Sequence, residues 1–183
     1  MYQYFLNTSL ETRPLNSLSV LEKMTGNQMF YLDSGRPYFS SEKDIAVSHK
    51  ENYFCSVIVD YPYIVGIDIE NINEEIDVAV FLKNALFQEE FTILGSNKEM
   101  GPLCDNQKGV ILWSIKESFF KCVDYKLDMK SLRVAGIKNN CVSFEYSQEL
   151  EKILLEKKIS KISCTVMRLS NSLVFCKTIG ELA

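Results

Sequence analysis

Tyr53–Glu70 reads YFCSVIVDYPYIVGIDIE, two runs of β-branched and aromatic residues separated by Asp60-Tyr61-Pro62. Runs of this kind favour extended backbone, and the proline-bearing turn predicts two strands, Tyr53–Val59 and Tyr63–Glu70, paired as a hairpin. Side chains on a strand alternate faces, so Asp68 and Glu70 point the same way while Ile67 and Ile69 turn to a core. Two acids in so apolar a run need a reason, because uncompensated burial of charge is costly. A pair of hard oxygen ligands at a strand end suits Mg²⁺, which takes one or two carboxylates plus substrate phosphate. The alternative is a strand end whose acids simply face water. Gly66, just before them, permits a close backbone approach.

Outward from this stretch, Val110–Val123 (VILWSIKESFFKCV) carries Leu112, Ile115, Phe119 and Cys122 at spacings of three, four and three, one apolar stripe of a helix. Glu117 and Lys121 are four apart and share a helical face, with Lys116 flanking them. A surface ion pair is the plain explanation. The functional one makes Glu117 a third metal ligand or general base, with Lys121 neutralising a departing phosphate. Glu75–Phe91 has helical periodicity, and Thr92–Gly109, with three glycines and Pro102, is expected as a long loop at the mouth of the same site. Leu132–Val134, Cys141–Tyr146, Ile162–Leu169 and Leu173–Cys176 read as strands, with turns at Gly136, Asn139-Asn140 and Asn171-Ser172; Gln148–Lys157 reads as a short helix or a charged connection. Before residue 53, a short helix is expected at Ser17–Lys23, a strand at Met29–Leu32, a turn at Asp33-Ser34-Gly35, and a polar break at Ser48–Asn52 after the apolar Ile45–Val47. Helices against antiparallel strands make the fold class α+β.

The 183 residues suffice for a buried core, and 46% hydrophobic with 24% charged side chains excludes a disordered chain. No run of 18 apolar residues offers a membrane span, and the first residues lack a signal-peptide pattern, so a cytoplasmic location is expected. Six scattered cysteines without a CxxC pair, most of them among apolar neighbours, read as small buried hydrophobes in a reducing compartment. A net charge of -4 argues against nonspecific nucleic-acid binding. GxGxxG, GxxxxGK[ST] and Gly-x-Ser-x-Gly motifs are absent. His49 is the only histidine, which excludes a multi-histidine zinc site; with Ser48 it could donate to a phosphate, and Arg36 could add a bidentate contact.

Four pieces of the chain resemble, in order, the motifs of the 4'-phosphopantetheinyl transferase superfamily, in its longer pseudo-dimeric form. They are Gly35-Arg36-Pro37, Val47-Ser48-His49, Gly66-Ile67-Asp68-Ile69-Glu70 and Trp113-Ser114-Ile115-Lys116-Glu117-Ser118-Phe119-Phe120-Lys121. The resemblance implies two similar α+β halves related by a pseudo-twofold, here Met1–Tyr61 (shortened) and Pro62–Ala183, with coenzyme A in the cleft between them. It implies Mg²⁺ on Asp68, Glu70 and Glu117, and coenzyme A contacts from Arg36, Ser48, His49 and Lys116. Glu117 and Lys121 would be catalytic, transferring phosphopantetheine to a serine of an apo acyl or peptidyl carrier protein and releasing 3',5'-ADP. A monomer is implied, because the longer form holds both halves in one chain. The chain departs from the family at Ala46, where an asparagine is frequent, and at Cys122–Leu127, where a glycine-rich loop is usual. A catalytically weak homologue serving as an interaction module, and another Mg²⁺-dependent nucleotide or phosphate enzyme, are the competing functions.

Overall fold

Both faces of the strand that carries Asp68 are covered, and this sets the architecture. The computed structural model describes residues 3–8, 22, 28–32, 35–39, 42–51, 53–98, 100–125 and 128–183. Strands β1 (Gln3–Thr8), β4 (Lys43–Lys50) and β5 (Tyr53–Asp60) form an antiparallel sheet of order β1-β5-β4, and β2 (Met29–Tyr31) pairs with β3 (Pro37–Phe39). Strand β6 (Tyr63–Asn71) begins a second antiparallel sheet of order β6-β10-β9-β8-β7. Its other members are β7 (Leu132–Lys138), β8 (Cys141–Tyr146), β9 (Ile159–Arg168) and β10 (Leu173–Leu182). Helices α1 (Val78–Asn84), α2 (Gln88–Gly95) and α3 (Asp105–Val123) follow β6, and α4 (Gln148–Glu156) joins β8 to β9. The α+β class is as expected.

The hairpin expected across Asp60-Tyr61-Pro62 does not form. Both edges of β5 are taken by β1 and β4, so the chain crosses at residues 61–62 from one sheet to the other. Val57 and Val59 of β5 then pack on Val65 and Ile67 of β6 and on Phe175 and Ile179 of β10. Against the other face, α3 lays Val110, Ile111, Leu112 and Ile115 on Val134, Val166, Val174 and Cys176. Its last turns, Phe119, Phe120 and Val123, meet Leu150, Ile153 and Leu154 of α4. Residues Val65–Ile69 are therefore buried on both sides, which explains why alternation is blurred in that stretch.

Other boundaries move for identifiable reasons. The single helix expected at Glu75–Phe91 is two, α1 and α2, broken at residues 85–87. Asp77 caps α1 by accepting from the amides of Ala79 and Val80, and Glu90 caps α2 by accepting from the amide of Phe87 at 2.7 Å. The loop expected over Thr92–Gly109 is shorter, because α2 runs to Gly95 and α3 starts at Asp105. The polar break expected at Ser48–Asn52 starts within β4, which continues to Lys50 and turns at Glu51, φ 53°; Asn52 lies outside the described residues. Gly136 lies within β7 beside a register shift rather than in a turn. The expected helix at 17–23, apart from Glu22, and residues 33–34 of the expected turn lie outside the described residues. Among the described residues no helix is long and apolar enough to cross a membrane.

Candidate active site

The site is built where α3 crosses β6. A Cβ at Gly66 would lie 2.1 Å from the carbonyl oxygen of Ser118 and 2.2 Å from the amide nitrogen of Cys122, so helix backbone rests directly on strand backbone. Ser118 Oγ also shares a 2.9 Å hydrogen bond with Thr178 Oγ1, on the residue paired with Gly66. This contact brings Glu117 and Lys121 over Asp68, two residues along the same face of β6. Gly66 was expected to permit a close approach, and what approaches is the helix itself.

Strand β4 runs alongside the outer edge of β6 in the same direction, and its side chains bridge the gap. Asp44 Oδ2 accepts from the Val65 amide at 2.7 Å, and Ser48 Oγ accepts from the Ile69 amide at 3.2 Å. Ser48 Oγ also donates to Asp68 Oδ1 at 3.3 Å. Ser48 is thus buried and spent on positioning Asp68. Arg36 pairs with Asp44 and donates to the carbonyls of Lys121, of Val65 at 3.0 Å and of Cys122 at 3.4 Å. A guanidinium at the carbonyl end of α3 is favourable for the helix dipole, and here it staples three elements together. Burial pushes the Asp44 carboxyl above its ordinary value, against the pull of Arg36 and the Val65 amide.

Asp68 is the most buried of the three carboxylates, its side chain 4% exposed. Lys121 Nζ sits 2.6 Å from its Oδ1, and 3.8 Å from Glu117 Oε2. Asp68 Oδ2 is buried and, among the described residues, meets no hydrogen-bond donor. Glu70 pairs with Lys50 at 2.7 Å, and Lys50 also pairs with Glu74. Burial raises the Glu117 carboxyl above its ordinary value; Lys121 opposes this, and the charges on Asp68 and Glu70 add to it. Burial likewise raises Glu70, with Lys50 opposing and Asp68 and Glu74 adding. These mutual effects mark three acids gathered into one field.

Lys116 does not join them. Its side chain is fully buried, 3.0 Å from Glu90 and donating to the carbonyls of Ala85 at 2.8 Å and Met129 at 3.3 Å. Glu90 in turn accepts from the Val134 amide at 2.7 Å. Burial pushes the Lys116 ammonium below its ordinary value, against the pull of Glu90. The pair fixes the break between α1 and α2 and the turn after α3. Lys116→Met leaves Glu90 charged and buried, so a loss of about 3 kcal/mol, a Tm drop on the order of 10 °C, is expected by thermal denaturation; adding Glu90→Gln should recover part of it. His49 is exposed and lies on the opposite face of β4 from Ser48, away from Asp68.

Glu117 and Lys121 border a cleft of about 790 Å³ whose lining includes Pro37, Ala46, Val65, Phe120, Tyr125 and Met129. That size and apolar lining with a few polar groups suit a small-molecule ligand. Among the described residues no three His, Cys, Asp or Glu side chains stand assembled as a coordination sphere. Lysine ammonium groups hold Asp68 and Glu70. The donor chemistry fits a hard divalent cation, with carboxylate oxygens only and one of them, Asp68 Oδ2, buried and meeting no donor among the described residues. Lys50 and Asp44 went unread in the sequence, although Asp44, Ser48 and Lys50 share the period-two face of one strand.

Comparison with known proteins bears on this arrangement. Among curated proteins, no sequence matches the chain. Two solved structures share its fold: holo-ACP-synthase from Plasmodium yoelii (15% identity, TM-score 0.50) and holo-[acyl-carrier-protein] synthase from Neisseria meningitidis (18% identity, TM-score 0.50). The first match covers 66% of this chain and 94% of the other, the second 64% and 97%. Both are holo-acyl-carrier-protein synthases matched over nearly their whole length, not representatives of the longer two-part form expected from the motifs. The family model for the 4'-phosphopantetheinyl transferase superfamily matches residues 64–166, which run from the Asp68 strand through α3 to β9. More than half of the chain is included, and the chain belongs to the 4'-phosphopantetheinyl transferase superfamily.

Proposed function

We propose that the protein transfers the 4'-phosphopantetheine group of coenzyme A to a serine of an apo acyl or peptidyl carrier protein, releasing 3',5'-ADP. The observation that carries this reading is Asp68, buried with one oxygen that meets no donor among the described residues, next to Glu117 and Lys121, which line a ligand-sized cleft. Asp68, Glu70 and Glu117 would hold Mg²⁺, which when bound offsets the charge of the diphosphate. Glu117, at the side of the cleft, takes the proton of the carrier serine hydroxyl. The serine oxygen bonds to the β-phosphorus as the bond to the 3',5'-ADP oxygen breaks, and Lys121 stabilises the charge left on that oxygen.

Of the four residues expected to meet coenzyme A, Arg36, Ser48 and Lys116 have protein partners, and their role is to hold the cleft in shape. His49 keeps an exposed side chain and is the candidate for a phosphate contact. We read Met1–Tyr61 as a shortened first part and Pro62–Ala183 as the second, in the manner of the longer pseudo-twofold form; the change of sheet at residues 61–62 supports the division. Because Arg36, Glu117 and Lys121 line the cleft from one chain, a monomer suffices. The cytoplasm, where carrier proteins are made, is the compartment this activity implies.

The test is intact-mass measurement of apo acyl and peptidyl carrier proteins incubated with the protein, coenzyme A and Mg²⁺. The expected result is a gain of one phosphopantetheine group, lost on chelation of the metal or on replacement of the carrier serine. Coenzyme A binding without any gain across carriers would favour the interaction module; no coenzyme A binding would overturn the ligand assignment.

A further inference from the structure

Two lysines sit among the acids, and they are placed differently. Lys121 bridges Asp68 and Glu117, both at the helix crossing. Lys50 comes from the end of β4 and bridges Glu70 to Glu74, which lies in the turn after β6. Its position is fixed by register: Ser48 holds Asp68, so the side chain two residues on faces Glu70, and Glu51 closes the end by accepting from Asn71 Nδ2 at 2.7 Å. Four carboxylates share two ammonium groups, leaving two negative charges, the amount one divalent cation offsets.

We propose that Lys50 is an internal counter-cation that competes with the divalent cation for Glu70, and that Glu74 is the seat that retains Lys50 when the cation arrives. This rests on the metal reading of Asp68, Glu70 and Glu117. Glu70 cannot serve a lysine at 2.7 Å and a cation at full strength at the same time. Glu74 already pairs with Lys50, so releasing Glu70 breaks one of two ion pairs and leaves the ammonium compensated. Lys50 thereby sets how tightly the site takes its metal, independently of substrate.

Titration with Mn²⁺ alone, read by electron paramagnetic resonance of the free ion, tests this without turnover. Lys50→Met should bind Mn²⁺ about tenfold more tightly than the parent, and Glu74→Gln, which confines Lys50 to Glu70, should bind more weakly. Lys50→Arg restores the charge and should return affinity to within about twofold of the parent. Lys43→Met removes the same charge at the far end of β4, where Lys43 faces Asp60, and should shift affinity by less than about twofold. If Lys50→Met binds like the parent while Asp68→Asn abolishes binding, the competition is refuted and the metal site stands. Tightening by Lys43→Met equal to that of Lys50→Met would also refute it, as a general charge effect. If Asp68→Asn binds Mn²⁺ as the parent does, the metal reading falls and takes this proposal with it. Circular dichroism of each variant confirms that the fold is intact.

Discussion

Gly66→Val is expected to leave no folded protein. A Cβ at this position would sit 2.1 Å from Ser118 O, 2.2 Å from Cys122 N and 2.8 Å from Cys122 Cα, all backbone atoms in a helix that cannot rearrange locally. Relief requires α3 to lift from β6. The helix is the common partner of two core clusters, one reaching β10 and the other α4, so lifting it opens both. Overpacking of this kind ordinarily costs about 1–3 kcal/mol where side chains can adjust, and here the obstacle is main chain, so a loss above about 5 kcal/mol is expected. That is comparable with the whole stability of many domains. The measurement is soluble yield and far-ultraviolet circular dichroism against a Gly95→Ala control, where a new Cβ meets only the tip of the Lys108 side chain at 3.7 Å. A Gly66→Val protein that melts within a few degrees of the parent would mean that α3 does not rest on β6.

The same residue shows what a sequence discloses and what it withholds. The apolar runs of β5 and β6 and the stripe on α3 were legible, because burial against a neighbour imposes a period on the residues themselves. The motif order placed Asp68, Glu117 and Lys121 in one site. What the runs could not tell is which strand pairs with which. A short proline turn between two strands reads as a hairpin, but β1, from the start of the chain, takes the edge of β5 that β6 would have used. The break between α1 and α2 was equally hidden. Its carbonyl at Ala85 is satisfied by Lys116 from 31 residues away, a tertiary bond with no local signature.

Charge partners were the least legible part. Lys116 and Lys121 stand five residues apart on one helix, yet one is buried against Glu90 and the other reaches into the cleft. About 100° per residue separates their directions on a helix, so neighbouring motif positions serve different sides of the protein. Arg36 and Ser48 were expected to meet a ligand, and both also hold the protein to itself: Arg36 across β4, β6 and α3, Ser48 across β4 and β6. The seam between the two sheets is made of such side chain to backbone bonds. Its middle position is Ala46, which the departure from the family's frequent asparagine makes apolar and which packs with Val57 and Ile67.

Asp68→Asn is expected to reduce phosphopantetheine transfer by at least about a thousandfold while leaving the protein folded, the magnitude typical of removing a preorganised charge that acts on the reacting phosphate. The substitution keeps an oxygen for Ser48 and Lys121 and takes away a charge that the structure buries at 4% exposure. Lys121 is 39% exposed, so its ammonium can turn to water once Asp68 is neutral, and the Tm should move by only a few degrees. The loss therefore falls on chemistry. Glu70→Gln should be milder than Asp68→Asn, because Glu70 is more exposed and already shared with Lys50. Initial rates on an apo carrier protein at saturating coenzyme A and Mg²⁺, with melting curves in parallel, decide it. Transfer near the parent rate in a folded Asp68→Asn protein would remove Asp68 from the mechanism; inactivity accompanied by unfolding would assign it to stability instead.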